Sequence, residues 1–141
     1  MILLDTNVLS ELMRPQPSQA VLDWFASQSG DHLFLSSVTE AELRLGALLL
    51  PNGARRDQIT AAIGAMLAAE FDGRILPFDS AAAQAYADIV VLRREAGRPI
   101  SALDAQIAAI AFANGFSVAT RNIRDFEGSG VNILNPWGTT I

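Results

Sequence analysis

Apolar residues along this chain form five short runs separated by stretches with helical periodicity. The runs predict β-strands at residues 2–4, 33–35, 75–76, 117–119 and 131–134. The periodic stretches predict helices over residues 8–13, from 17 onward, through 41–49 after Ser37 and Thr39, over 55–70, through 86–93, and over 101–114. Because strands and helices alternate, the pattern predicts an α/β fold with a central, mainly parallel five-stranded sheet and helices on both faces.

Length and composition limit the class of protein. At 141 residues, half of them hydrophobic and 18% charged, we expect one globular domain over residues 1–141. There is no cysteine, which excludes disulfides and thiolate metal sites. No apolar stretch is long enough to span a membrane, and the N-terminus lacks the basic segment of a signal peptide. We therefore expect a cytoplasmic protein with no membrane association.

The charge pattern excludes further functions. The net charge is −5, whereas a protein that coats nucleic acid should be basic. A nuclease is not excluded, because its acids are concentrated in the site and neutralised by metal. All ten basic residues are arginine. Without lysine, the chain cannot form a Walker A phosphate-binding loop.

Four acids occupy positions that a parallel sheet would bring together. Asp5 ends the first strand, Glu42 follows the second and Asp125 follows the fourth. Asp104 begins the helix that leads into the fourth strand. Ligands bind at the carboxyl edge of such sheets, where these side chains should meet. Clustered carboxylates repel one another, and a divalent cation would relieve that repulsion.

Each acid, taken alone, also fits a helix N-terminus. Aspartate is a favoured N-cap residue, which suits Asp5. Each of the other three follows a serine, threonine or asparagine by three residues, which is the spacing of a capping box. The sequence therefore supports both a structural and a functional interpretation of every single acid, and only their joint placement favours a metal site.

Four sequence blocks resemble the signature blocks of the PIN-domain ribonucleases. They are LDTN at residues 4–7, TEAEL at 39–43, ALDA at 102–105 and ATRN at 119–122. The chain is more narrowly similar to the VapC toxins, and closest to their FitB-like branch. This similarity includes RPQP at 14–17, AELRLG at 41–46, GRILPFD at 73–79 and NPW at 135–137. The resemblance covers essentially the whole chain.

The resemblance implies a PIN-like three-layer α/β/α domain that acts as a Mg²⁺- or Mn²⁺-dependent endoribonuclease. Such a toxin hydrolyses RNA phosphodiester bonds with metal-activated water and pairs with a small DNA-binding antitoxin. A homodimer and a higher toxin–antitoxin assembly are also implied. By position, Asp5, Glu42 and Asp104 match the catalytic, metal-binding acids. The fourth position departs from the FitB-like pattern, because Asn122 stands where an acid can follow Thr-Arg; Asp125 is the candidate for the fourth metal-binding acid.

Further residues beside the acids are candidates for weaker roles. Thr6, Asn7, Thr120 and Asn122 could orient carboxylates or water, and Arg121 and Arg124 are candidates for binding the substrate. These side chains are polar residues that follow strands or begin helices, where capping is their commonest use.

Two alternatives stay open at this point. A PIN-like domain that has lost catalysis would act only by binding its antitoxin, and the Asn122 substitution favours this. A metal-dependent phosphohydrolase would use Asp5 as phosphoryl acceptor, but it would typically want a second aspartate at position 7 and a lysine. The RNA target and the number of metal ions do not follow from the sequence.

Overall fold

The computed structural model describes residues 1–138, in which strands and helices alternate. The strands are β1 (Ile2–Leu4), β2 (Leu33–Ser36), β3 (Ile75–Leu76), β4 (Ser117–Ala119) and β5 (Ile133–Leu134). The helices are α1 (Thr6–Leu12), α2 (Gln19–Ser27), α3 (Ser37–Leu48), α4 (Ala54–Glu70), α5 (Ser80–Glu95), α6 (Ala102–Asn114) and α7 (Ile123–Phe126), with a 3₁₀ turn at Gly30–His32. None of the helices in this part of the chain is long and apolar enough to cross a membrane.

The five strands form one parallel sheet in the order β3-β2-β1-β4-β5. The central strand, β1, pairs Leu3 with Phe34 of β2 on one side and with Val118 of β4 on the other. The predicted parallel α/β sheet is therefore confirmed. Because all strands run the same way, their carboxyl ends lie along one edge, and β1 delivers Asp5 to the middle of it.

Helices cover both faces of the sheet, so its strands alternate between two apolar cores. Leu3 and Val118 belong to the core formed with α5, α6 and α7. Leu4 and Ala119 belong to the opposite core, formed with α1, α3 and α4. Leu3 and Leu4 are both 0% exposed, which confirms the predicted strand with two buried faces.

Several element boundaries differ from the prediction, and the short helix α7 was not predicted. The first helix begins at Thr6 rather than residue 8, because the Asp5 side chain caps it. The last strand is only Ile133–Leu134, because its pairing with β4 is limited to those residues. The predicted end of α6 is confirmed: Gly115 follows it in the left-handed region at φ 70°, the conformation that glycine adopts without strain.

A buried arginine attaches the segment around α7 to the rest of the fold. Arg93, on α5, is only 5% exposed. Its guanidinium donates to the carbonyl oxygens of Asp125 and Glu127, both at 2.8 Å, and to that of Arg98 at 2.6 Å. These bonds satisfy a buried charge that has no carboxylate partner among residues 1–138, and they fix the backbone that carries Asp125.

Candidate active site

A cavity of about 530 Å³ opens at the carboxyl edge of the sheet. Three of the four predicted acids, Asp5, Glu42 and Asp104, lie in its wall although they come from different parts of the chain. The remaining lining residues are Thr6, Asn7, Ser10, Glu11, Arg14, Arg121, Asn122 and Trp137. The topology therefore brings together most of the predicted site, while the roles assigned to its members stay predictions.

Asp5 serves as helix cap and cavity wall at once. Its Oδ1 accepts a hydrogen bond from the Thr6 N–H at 2.8 Å. Its Oδ2 accepts one from the Thr120 hydroxyl at 2.8 Å and one from the Asn7 amide at 3.2 Å. The structural and functional interpretations of this residue are therefore compatible, because capping uses one oxygen and leaves the carboxylate in the cavity.

Burial controls the protonation of Asp5, which is 5% exposed. The pKa of Asp5 is raised from 3.8 to about 6, chiefly by desolvation and to a smaller extent by the charges of Asp104 and Glu42. The hydrogen bonds from Thr120 and Thr6 act in the opposite direction but are outweighed. An ionised Asp5 is consequently costly in this protein unless a positive charge lies beside it.

Glu42 is held by a contact between α1 and α3 rather than by a helix cap. The Thr6 hydroxyl donates to Glu42 Oε1 at 2.8 Å. The N-cap of α3 is Ser36, whose hydroxyl oxygen accepts from the Thr39 N–H at 3.0 Å. The capping-box interpretation of Thr39 and Glu42 was therefore wrong, because the helix begins before Thr39 and Glu42 lies in its second turn.

Asp104 lies in the first turn of α6, where Ser101 caps the helix by accepting from the Asp104 N–H at 3.2 Å. The carboxylate is half-buried in the cavity wall. Burial raises the pKa of Asp104, as does the charge of Asp125, while the Ser101 hydrogen bond and the charge of Arg93 lower it. The half-buried Asp104 thus adds to the negative charge around Asp5.

The two candidates for the fourth position lie in different places. Asn122 lines the cavity, and its N–H donates to the Thr120 hydroxyl oxygen at 3.0 Å. Asp125 is exposed on α7 and lies outside the cavity lining, although its charge reaches Asp104. Asn122 caps α7 without a side-chain bond, so the capping box expected with Asp125 does not form.

The donor set suits a hard cation that keeps part of its water shell. Within residues 1–138, no three histidine, cysteine, aspartate or glutamate side chains lie close enough to hold one ion between them. The oxygens of Asp5 and Asp104, with Glu42 and the Asn122 amide near them, are the ligand type of Mg²⁺ and Mn²⁺. Mg²⁺ usually binds through one or two carboxylates and several waters, so this type of donor set does not need a closed cage to suit such an ion.

Sequence reasoning missed four residues of the cavity wall. Ser10 and Glu11 lie on α1, Arg14 follows directly after its C-cap residue, and the fourth is Trp137. Glu11 is buried, and its carboxylate accepts a hydrogen bond from the Ser18 N–H at 2.9 Å. This hydrogen bond is the main reason that the pKa of Glu11 is lowered. The signal for the α1 residues was present: with Asn7 they recur at helical spacing directly after Asp5, which indicates a polar helix face at the site.

The two arginine candidates for substrate binding are separated by the fold. Arg121 lines the cavity, its N–H donates to Asn7 Oδ1 at 3.2 Å, and its guanidinium carbon lies 5.2 Å from the centre of the Trp137 ring. Arg124 is exposed on α7 and does not line the cavity. Of these two candidates, Arg121 alone lines the acid cavity, whose wall also contains Arg14.

The fold and the residues at its sheet edge define a PIN domain. The PIN domain family matches residues 2–128, and the chain belongs to this family. Within it, the predicted similarity to VapC toxins and the FitB-like branch is confirmed.

The chain is similar to three curated relatives, each aligned over 137 residues or 97% of this chain. Plasmid stability protein StbB of Pseudomonas syringae pv. tomato is 47% identical over 99% of its length. VapC ribonuclease Y4jK of Sinorhizobium fredii is 44% identical over 98% of its length. Toxin FitB of Neisseria gonorrhoeae is 43% identical over 99% of its length.

Two solved structures have the same fold. A chain in the structure of FitAB bound to an IR36 DNA fragment gives a TM-score of 0.94 at 41% identity, covering 100% of this chain and 99% of that one. A chain of FitAcB from Neisseria gonorrhoeae gives 0.93 at 42% identity, covering 99% of this chain and 100% of that one.

Proposed function

We propose that this protein is the toxin of a toxin–antitoxin pair and acts as a metal-dependent endoribonuclease. The observation that carries the proposal is the convergence of Asp5, Glu42 and Asp104, from three separate elements, in the wall of one cavity. Packing alone does not require three acids at this edge of the sheet. The name of the similar VapC ribonuclease Y4jK supports RNA as the substrate.

The electrostatics of Asp5 indicate why a cation would belong to the site. A carboxylate whose pKa burial and two neighbouring acids raise to about 6 is stabilised in its ionised form by an added positive charge. Asp5 and Asp104 would hold the ion, directly or through water. Mg²⁺ or Mn²⁺ bound there would lower the pKa of a water and neutralise charge that develops on the phosphoryl oxygens.

The chain's own side chains orient these groups. Thr120 and Asn7 hold Asp5 Oδ2, so the carboxylate cannot rotate freely. Thr6 holds Glu42 through one oxygen, and Glu42 would complete the anionic pocket in the cavity wall. Arg121 contributes a cation to the wall, suited to a phosphate of the RNA backbone.

An antitoxin would reach the same site through a neighbouring apolar groove. A cavity of about 390 Å³ between α1, α3 and α4 is lined by apolar side chains including Met13, Pro15, Leu50 and Ile59. It shares Thr6, Ser10, Arg14 and Glu42 with the acid cavity. The similar FitB chain has been solved in complex as FitAB bound to DNA, which supports a small DNA-binding partner here. A homodimer and a higher assembly stay predictions.

The test is cleavage of a fluorogenic single-stranded RNA by purified, antitoxin-free protein with Mg²⁺ or Mn²⁺. We expect EDTA to abolish cleavage and Asp104→Asn to reduce it about 100-fold or more, because several kcal/mol of charge stabilisation are lost. Asp79→Asn is the matched control, since Asp79 caps α5 through the Ala82 N–H at 2.9 Å and does not line the cavity. Undiminished cleavage by folded Asp104→Asn protein would overturn the proposal.

A catalytically impaired binding module is the second candidate. The observation in its favour is that Asn122, not an acid, lines the cavity, while Asp125 lies outside its lining. Wild-type protein would then bind the antitoxin yet leave RNA intact at every metal concentration. If Asn122→Asp created cleavage in that protein, the missing charge would be identified as the cause.

A further inference from the structure

Trp137 and Arg121 form a stacked pair in the wall of the acid cavity. The guanidinium carbon of Arg121 lies 5.2 Å from the centre of the indole ring, within the range of a cation–π contact. Both side chains line the cavity that contains Asp5 and Asp104. The pair is therefore next to the reacting centre of the proposed nuclease without being one of its acids.

A tight turn after β5 fixes the position of the indole. The side-chain oxygen of Asn135 accepts a hydrogen bond from the Trp137 N–H at 3.0 Å, and its carbonyl accepts one from the Gly138 N–H at 3.1 Å. Pro136 between them is buried. The ring is half-buried against the core that contains Leu4. The indole is consequently a supported surface rather than a mobile side chain.

The backbone of Arg121 is held by a hydrogen bond, while its guanidinium group is available to contact a ligand. Its N–H donates to Asn7 Oδ1 at 3.2 Å, and the preceding residue, Thr120, donates to Asp5. Arg121 thus has a set position relative to the acids. Within residues 1–138 no carboxylate forms a salt bridge with it, in contrast to Arg14, which is paired with Glu11 at 3.3 Å.

We propose that Arg121 and Trp137 form a stacking site for one unpaired nucleobase of the RNA, beside the phosphate that is cleaved. Guanidinium planes and aromatic rings are the platforms on which proteins stack bases that are splayed out of single-stranded RNA. The charge of Arg121 adds attraction for the adjacent phosphate, which the surrounding acids would otherwise repel. This inference rests on the proposed nuclease function, and it explains how the site would select RNA whose bases are unpaired.

Tryptophan fluorescence tests the contact directly, because the chain contains only Trp24 and Trp137. Trp24 lies on α2 and does not line the acid cavity. In Asp104→Asn protein that also carries Trp24→Phe, we expect a short single-stranded RNA to quench the remaining indole saturably. An otherwise identical oligomer with abasic sites should not quench it. The matched variant, with Trp137→Phe and Trp24 intact, should show no quenching by either oligomer.

Steady-state kinetics of the active protein provide the second readout. Loss of one stacked base in Trp137→Ala should raise KM about 5- to 150-fold, with a much smaller change in kcat. Trp137→Phe should recover most of the loss, because phenylalanine retains an aromatic face, and Trp24→Phe should leave KM unchanged.

The outcomes separate this inference from the proposed function. If the wild type cleaves RNA but Trp137→Ala has an unchanged KM, the stacking site is refuted and the nuclease stands. If the wild type cleaves nothing, base-dependent quenching still decides whether the pair binds a base. Equal quenching by intact and abasic oligomers refutes stacking. Stacking is also refuted if an antitoxin peptide quenches the fluorescence of Trp137 and RNA does not.

Discussion

Replacement of Asp5 by asparagine tests what a buried carboxylate does to this fold. Asp5 accepts a hydrogen bond from the Thr6 N–H at 2.8 Å, and asparagine retains a side-chain oxygen that can accept the same bond. The start of α1 should therefore persist. The charge disappears. The Thr120 hydroxyl and the Asn7 amide both donate to Asp5 Oδ2, and the amide group of asparagine accepts these hydrogen bonds less well than a carboxylate does. This weakening lowers stability by a similar amount at every pH. The pH dependence therefore isolates the charge.

The sign and size of that pH dependence follow from the raised pKa. Between 3.8 and about 6 the folded protein keeps a proton on Asp5 that the unfolded chain has released. Stability is therefore lost as pH rises through this window, and the loss is complete above it. The rise in pKa corresponds to about 3 kcal/mol at roughly 1.4 kcal/mol per pH unit. Asp5→Asn protein should lack this loss.

The assay is urea unfolding followed by circular dichroism, in EDTA, at a series of pH values from 4 to 7.5. Relative to the wild type, Asp5→Asn should gain up to about 3 kcal/mol between the two ends of the series. Asp79→Asn, which alters a capping aspartate outside the cavity, should follow the wild-type curve. Parallel curves for wild type and Asp5→Asn would refute the reasoning. Mn²⁺ should raise the melting temperature of the wild type but not of Asp5→Asn.

Two further substitutions test buried hydrogen bonds. Thr120→Val removes the hydroxyl that donates to Asp5, so stability should fall by about 1–3 kcal/mol in urea unfolding, and cleavage should fall with it. Thr60→Val is the matched control: the buried Thr60 hydroxyl has no hydrogen-bond partner among the described residues, so the change should be neutral or stabilising. Arg93→Met should cost about 3 kcal/mol or more, because three backbone carbonyls lose their buried donor; a melting temperature equal to wild type would contradict this.

Local signals were sufficient to predict most of the fold. The two short apolar runs at Ile75–Leu76 and Ser117–Ala119 became strands over those residues. Alternation of strands and helices implied a parallel sheet, because parallel neighbours need a crossover between them. The alternation of strands and helices did not predict the order of the strands in the sheet. That β1 lies between β2 and β4 depends on how the helices pack on each face, which is a property of the whole chain.

The direction of the parallel strands was sufficient to predict which acids lie near one another at the sheet edge, but not the rest of the candidate site. Asp5, Glu42 and Asp104 were expected at one edge of the sheet because parallel strands end there, and they line one cavity. The capping pattern misled at Thr39 because a spacing of three residues does not show where a helix begins. Ser36 is polar and buried after β2, and it provides the cap instead.

Only the tertiary structure shows that Asn122 lines the cavity while Asp125 lies outside its lining, and only tertiary packing brings Trp137 to the cavity. The sequence by itself determined the alternation of elements and the edge where the acids gather, since both follow from local periodicity and strand direction. It left open which side chain of a short helix points inward, because a rotation about the helix axis is set by the groups packed against it. Arg93 fixes the carbonyls of Asp125 and Glu127, which lie more than 30 residues further along the chain. The turn after β5 is local, but the core against which it places the indole contains residues as distant in the chain as Leu4.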